Sequence, residues 1–153
     1  MSAHRATVEW ALDDGDFLKR RYSRAHTLCF DGGVTVAGTP SPHIVPAPFS
    51  RADAVDPEAL FTASLSACHM LWFLDLAARA GFVVASYRDA AEGTLAKNAA
   101  GKVAMTRVVL RPAITFAGEI RPASEEIAAL HHAAHEACFI ANSVTTEVVV
   151  EGP

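Results

Sequence analysis

The run 56-DPEALFTASLSACHMLWFL-74 decides how the rest of the chain is read. Asp56 is a good N-cap, Pro57 is pre-set for the first helical position, and Glu58 suits the positive end of the helix dipole, so a helix begins here. Gly81 supplies its stop. Between them Leu60, Phe61, Ser64, Leu65, Cys68, Leu71, Trp72 and Leu76 recur at helical spacing, with further apolar residues on other faces. A helix of about 24 residues is ~36 Å long, more than a domain of this size needs. Its apolar surface is therefore expected to find a partner outside the monomer. At its centre sits a single thiol, Cys68.

Upstream, 39–57 holds five prolines and cannot be a regular element; a loop of that length suits a cover over a site. Before it, 5-RATVEWAL-12 alternates like a half-buried strand, with Ala6, Val8 and Trp10 on one side. Residues 21–30, the turn Asp31-Gly32-Gly33 and 34–38 read as a hairpin. Downstream, 82–98 and 103–116 are rich in β-branched residues and read as two long strands of a second hairpin. Ser124, Glu125 and Glu126 open a second helix, 124–137, and 144-VTTEVVV-150 closes the chain as a strand. The order βββ-α-ββ-α-β predicts one α+β domain over 1–153, two helices on a mainly antiparallel sheet.

A formal charge of −4 with scattered basic residues, apart from 19-KRR-21, argues against a nucleic-acid footprint. The amino terminus lacks the apolar core of a signal peptide, and the apolar runs read as too short to span a bilayer. A cytoplasmic protein without a membrane partner is the expectation. Three cysteines, Cys29, Cys68 and Cys138, with no close pair, make a poor disulfide framework.

Each candidate motif has a plain alternative. His131 and His135 are one helical turn apart and Cys138 is three residues further, which admits a metal reading, but the run HHAAHEAC is no zincin motif and a second ligand cluster is missing. Histidines on an ordinary helix are the preferred reading and no metal is assigned, with metal binding through His131, His135 and Cys138 kept as a third alternative. Cys29 lies in a strand without a neighbouring charge to activate it and reads as packing. Cys68 taken alone would read the same way, because apolar surroundings keep a thiol protonated.

The run DPEALFTASLSAC, with an acid ten residues before a helical cysteine, and a second cysteine seventy residues later in HEACFIANS, resembles the OsmC family of organic hydroperoxide reductases. Length and element order agree over nearly the whole chain. The resemblance implies an intertwined homodimer with two long central helices and sites at the subunit interface. It implies Cys68 as the thiol that attacks the peroxide, Cys138 as the resolving thiol, and an arginine held by Glu58 as the activator of Cys68. Arg24 in YSRAH is the choice for that arginine, with Arg21 second. The hydroperoxide-resistance branch usually has Cys-Pro at the second cysteine, where this chain has Cys138-Phe139. An external dithiol, of lipoyl type in the family, would restore both thiols, and no cofactor is implied.

The chemistry agrees with those roles. Cys68 lies too far along the helix for the dipole, which fades within the first turn, to supply charge. A guanidinium can, since it never deprotonates and has donors for both a sulfur and a carboxylate. Phe61, Leu65, Leu71 and Trp72 would seat an alkyl chain and favour bulky organic peroxides. Ten residues of helix separate Glu58 from Cys68 by ~15 Å of rise and about 80° of rotation, so the expected arrangement brings Glu58 of one chain near Cys68 of the other. The alternative is a non-enzymatic apolar ligand-binding or interaction protein on the same scaffold, in which Cys68 only packs.

Overall fold

The computed structural model describes residues 1–152. The chain parts into two compact units, Met1–Leu60 and the remainder from Phe61 onward. The first carries an antiparallel sheet, β1 (Ala6–Glu9), β2 (His26–Phe30) and β3 (Thr35–Gly38), with β2 central. Gly32 and Gly33, both at positive φ, close the β2–β3 turn, a conformation that only glycine adopts without strain. The strands are shorter than the alternation predicts. Residues 21–25 precede β2, since Arg21 is bridged to Asp16 in a turn of its own. The half-buried face expected for β1 is also absent: all four residues are exposed, Val8 at 63%.

Helix α1, Pro57–Arg79, starts where its capping residues place it, with the Asp56 carboxylate accepting the Ala59 N–H at 2.7 Å. Gly81, φ 83°, follows its end. By length and composition α1 could cross a bilayer, which corrects the expectation that no apolar run reaches that size. Serines and a histidine break the run without adding charge, and this hid it. Within the second unit α1 buries Thr62, Leu65, His69, Phe73 and Ala77, a stripe rotated about 100° from the one through Cys68. Leu71, expected on that face, is 62% exposed.

The two long strands each break in two. β4 (Val83–Asp89) pairs with β7 (Pro112–Ala117), while β5 (Glu92–Lys97) pairs with β6 (Val103–Leu110) in a separate sheet. Two groups make the break. Pro112 has no N–H for the ladder, and the Asp89 carboxylate captures the Arg111 N–H at 2.6 Å and the Ser66 hydroxyl of α1 at 2.5 Å. Gly93 in β5 lets α1 approach closely, for a Cβ there would collide with Thr62 Oγ1 and Met105 Cε.

Helix α2 spans Ser124–Ala137 as its sequence predicts, with Glu126 reaching back to the Ala123 N–H at 2.8 Å. A 3₁₀ turn, Ala141–Ser143, leads to β8 (Glu147–Val150), which joins β6 in parallel, the single parallel pairing among the described strands. Two apolar clusters fill this unit. Phe73, Ala77, Phe82 and Ala134 join α1 to α2 and the β4–β7 sheet; Leu65, Val108 and Leu110 join α1 to β6. The architecture is α+β and mainly antiparallel, as the order of elements predicts.

Candidate functional site

Cys68 rides on the edge of the buried stripe of α1 and is half-buried. Cys138, the residue after α2, is 1% exposed. Though seventy residues apart in sequence, the two thiols are neighbours in the fold, close enough for Cys68 to perturb Cys138. Burial, and then Cys68 beside it, push the Cys138 thiol up to about 11, although the Ala141 N–H, 3.4 Å from its sulfur, pulls the other way. Cys138 therefore keeps its proton near neutral pH. Both cysteines are unbridged.

Around the pair, Trp72 is half-buried and meets Phe139 edge-on, ring centroids 5.4 Å apart. Phe139 thus occupies the position after the second cysteine with an aromatic ring that is itself 69% exposed. Phe61 is half-buried against the Leu65 cluster, and Leu65 is a core residue. Of the four residues expected to seat a substrate, Leu71 is the one turned fully outward.

Glu58 sits in the first turn of α1, half-buried, with its Oε2 shielded from solvent. Arg24 lies in the first unit. Its guanidinium stacks 4.2 Å over the Tyr22 ring and donates to the carbonyls of Tyr22 and Arg20 at 3.1 and 3.3 Å. Trp10, Phe17 and Tyr22 form an aromatic cluster, with Phe17 stacked on Tyr22 at 4.7 Å. Together with Val8, Arg24 and His26 they line a cleft of about 420 Å³. Arg21, the second candidate, is exposed. Cys29 is half-buried in β2, its sulfur 3.9 Å from the Thr35 hydroxyl.

Helical periodicity missed a buried imidazole pair. His69 and His131 are 1% and 7% exposed, their rings nearly parallel, with Nε2 of one 2.9 Å from Nδ1 of the other. Desolvation, reinforced by His131 and His135, lowers His69 to about 4; burial also lowers His131, while Asp89 opposes both shifts. The pair is neutral near pH 7. His131, His132 and His135 line a cleft with Val148 and Val150, but no three His, Cys, Asp or Glu side chains among the described residues are grouped to hold a metal ion. His131 turns one ring nitrogen to His69, which breaks up the His131, His135 and Cys138 set. Periodicity finds His69 only once the buried stripe is known to run through it instead of Cys68.

Comparison with known proteins bears on the family and the fold. The family model for OsmC-like protein matches residues 50–151. An OsmC-like protein of unknown function from Vibrio cholerae has the same structure at TM-score 0.97, with 51% identity and all of both chains covered. An organic hydroperoxide resistance protein OsmC from Legionella pneumophila gives a TM-score of 0.71 at 18% identity, covering 99% of this chain and 96% of its own. The organic hydroperoxide resistance protein OhrB of Bacillus subtilis gives 0.65 at 18% identity, covering 99% and 98%. No curated protein matches the chain.

Proposed function

The chain belongs to the OsmC-like family, and on that footing we propose that it is a cysteine-based peroxidase that reduces organic hydroperoxides to alcohols at the expense of an external dithiol. The observation that carries this reading is the meeting of Cys68 and Cys138: a half-buried thiol backed by a fully buried one that holds its proton. A packing cysteine needs no second thiol behind it. A two-step thiol reaction does.

The Cys68 thiolate attacks the distal peroxide oxygen, the O–O bond breaks, and the alkoxide leaves as alcohol after taking a proton. Cys68 is left as a sulfenic acid. The Cys138 sulfur then attacks the Cys68 sulfur, its proton and the hydroxyl leave as water, and the disulfide forms. A dithiol, of the lipoyl type by family resemblance, reduces that disulfide by exchange. Arg24 is the cation assigned to hold Cys68 as thiolate, oriented by Glu58; its stacking on Tyr22 gives the guanidinium a fixed plane. Phe61, Leu65, Leu71 and Trp72 are the apolar residues assigned to the alkyl group.

The site belongs to a homodimer in this reading. Support comes from apolar surface left open: Leu71 on α1 is 62% exposed, Val8 on β1 63% and Phe139 69%. A formal charge of −4 with scattered basic residues disfavours nucleic acid as a partner, and a cytoplasmic setting is part of the proposal.

Consumption of cumene hydroperoxide with dithiothreitol tests the proposal. Wild-type protein turns over, and mass spectrometry finds the Cys68–Cys138 disulfide after one equivalent of peroxide. Undiminished turnover by Cys68→Ser would sink it.

A further inference from the structure

We propose that the His69–His131 bond is a positioning device that holds the resolving thiol against the attacking thiol, so that disulfide closure outruns further oxidation of Cys68. The inference rests on the peroxidase reading and adds two residues to it.

The two cysteines are carried by different helices, Cys68 by α1 and Cys138 by the end of α2. His69 is the residue after Cys68, and His131 lies seven residues before Cys138, two turns back along α2. Their 2.9 Å bond is therefore a direct polar tie between the two thiol-bearing helices, made one residue from the attacking sulfur. The surrounding contacts are apolar: Phe73 lies 4.5 Å from the His131 ring, and Ala77 and Ala134 fill the same interface. Apolar contact is non-directional and lets helices slide. A hydrogen bond between two rings fixes their register.

The pair is expensive to keep. Both imidazoles are desolvated, and His69 Nδ1 has no partner among the described residues. A leucine and a phenylalanine would fill the space without that cost. The unpartnered nitrogen also assigns the proton. Buried orphan N–H groups are rarer than orphan acceptors, so His69 Nδ1 is bare, His69 Nε2–H donates to His131 Nδ1, and both rings are neutral. The charged and titratable groups facing the pair are His135 from α2 and Asp89 from the end of β4, with Tyr87 of β4 nearby against Phe73.

The step that needs this alignment is the second one. Sulfenic acid on Cys68 has two fates: the Cys138 sulfur displaces its hydroxyl as water, or a second peroxide donates an oxygen, leaves as alcohol and gives sulfinic acid. A misplacement of about 1 Å slows such a step by up to ~100-fold. The first attack involves only Cys68 and peroxide, and so does not depend on the tie.

Side-chain geometry supplies the variants. Gln at 69 places an amide where His69 Nε2 lies, and Asn at 131 places one where His131 Nδ1 lies, so His69→Gln and His131→Asn keep the bond. His69→Asn is too short to reach, and His131→Leu has no acceptor. Reduced proteins are mixed with one equivalent and with excess cumene hydroperoxide, quenched over time and read by mass spectrometry for Cys68 sulfenic acid, disulfide and sulfinic acid. In His69→Asn and His131→Leu we expect sulfenic acid to form at the wild-type rate, closure to slow by about tenfold or more, and sulfinic acid to accumulate in excess peroxide. His69→Gln and His131→Asn should close within about threefold of wild type. Should His131→Leu fail to fold, the contrast between the two polar variants at 69 decides alone. Wild-type closure rates in folded His69→Asn overturn the proposal and leave the peroxidase reading standing. Absence of any Cys68–Cys138 disulfide in wild-type protein overturns both.

Discussion

Replacing His69 by glutamine should flatten the acid side of the stability profile. His69 is buried and its affinity for protons is lowered from the ordinary 6.5 to about 4 in the folded chain, chiefly by desolvation. Above pH 6.5 the ring is neutral whether the chain is folded or not, and stability is unaffected by it. As pH falls below 6.5 the unfolded chain takes up a proton that the folded chain refuses, so stability drops by about 1.4 kcal/mol per pH unit. The loss is complete near pH 4, where the folded ring is protonated too, and amounts to about 3 kcal/mol. His131 is shifted in the same direction and adds to the slope, while Asp89 moderates both. Urea unfolding at half-unit steps from pH 7.5 to 4.0 measures this directly. Glutamine keeps the donor and cannot titrate, so the difference in stability between variant and wild type should shift in the variant's favour by about 3 kcal/mol across that range. Parallel profiles would refute the reasoning, because then no proton is being refused at this ring.

Three further outcomes follow from single contacts. Asp89→Ala removes the acceptor of the Arg111 N–H and the Ser66 hydroxyl at the break in the long hairpin, and should cost about 1–2 kcal/mol in urea unfolding; a change within experimental error would mean the break is held by Pro112 alone. Gly93→Ala pushes a methyl into Thr62 and Met105 where α1 meets β5, and should destabilise by about 1–3 kcal/mol in the same assay. Cys138→Ser should leave the first oxidation of Cys68 intact but end steady turnover, with Cys68 sulfinic acid found by mass spectrometry; sustained turnover with a monothiol reductant would assign resolution to the reductant.

Capping and patterning residues made the helices legible. Asp56, Pro57 and Gly81 bracket α1, and α2 runs from Ser124 to Ala137 as its acidic start predicts, because helix ends are set by local hydrogen bonds that a few residues encode. The strands were legible as a class but not in extent. The break of the long hairpin depends on Asp89 reaching the Arg111 N–H and Ser66, and no local pattern announces a contact made across twenty or more residues. The face of α1 was misplaced for a related reason. Its apolar residues surround the helix, so periodicity alone cannot choose a side, and the buried stripe instead runs through Thr62 and His69, polar residues a hydrophobic pattern discounts. The pairing of Cys68 with Cys138 came from family resemblance and not from spacing, since thiols seventy residues apart carry no sequence mark of their meeting.

That misplaced stripe also answers why a thiol sits amid the apolar run. Were Cys68 at the centre of the buried face it would be inert, as apolar burial keeps a thiol protonated. It lies instead at the edge, half-buried, while His69 takes the interior position next to it. Cys138 takes the opposite setting, fully buried and pushed up to about 11. Under the proposed peroxidase reading this difference in burial suits an order of reaction: the half-buried Cys68 would meet the peroxide, and the enclosed Cys138, still carrying its proton, would meet the sulfenic acid. One residue of helix, about 100° of rotation, separates a packed position from a half-buried one, and the chain places a histidine in the first and a cysteine in the second.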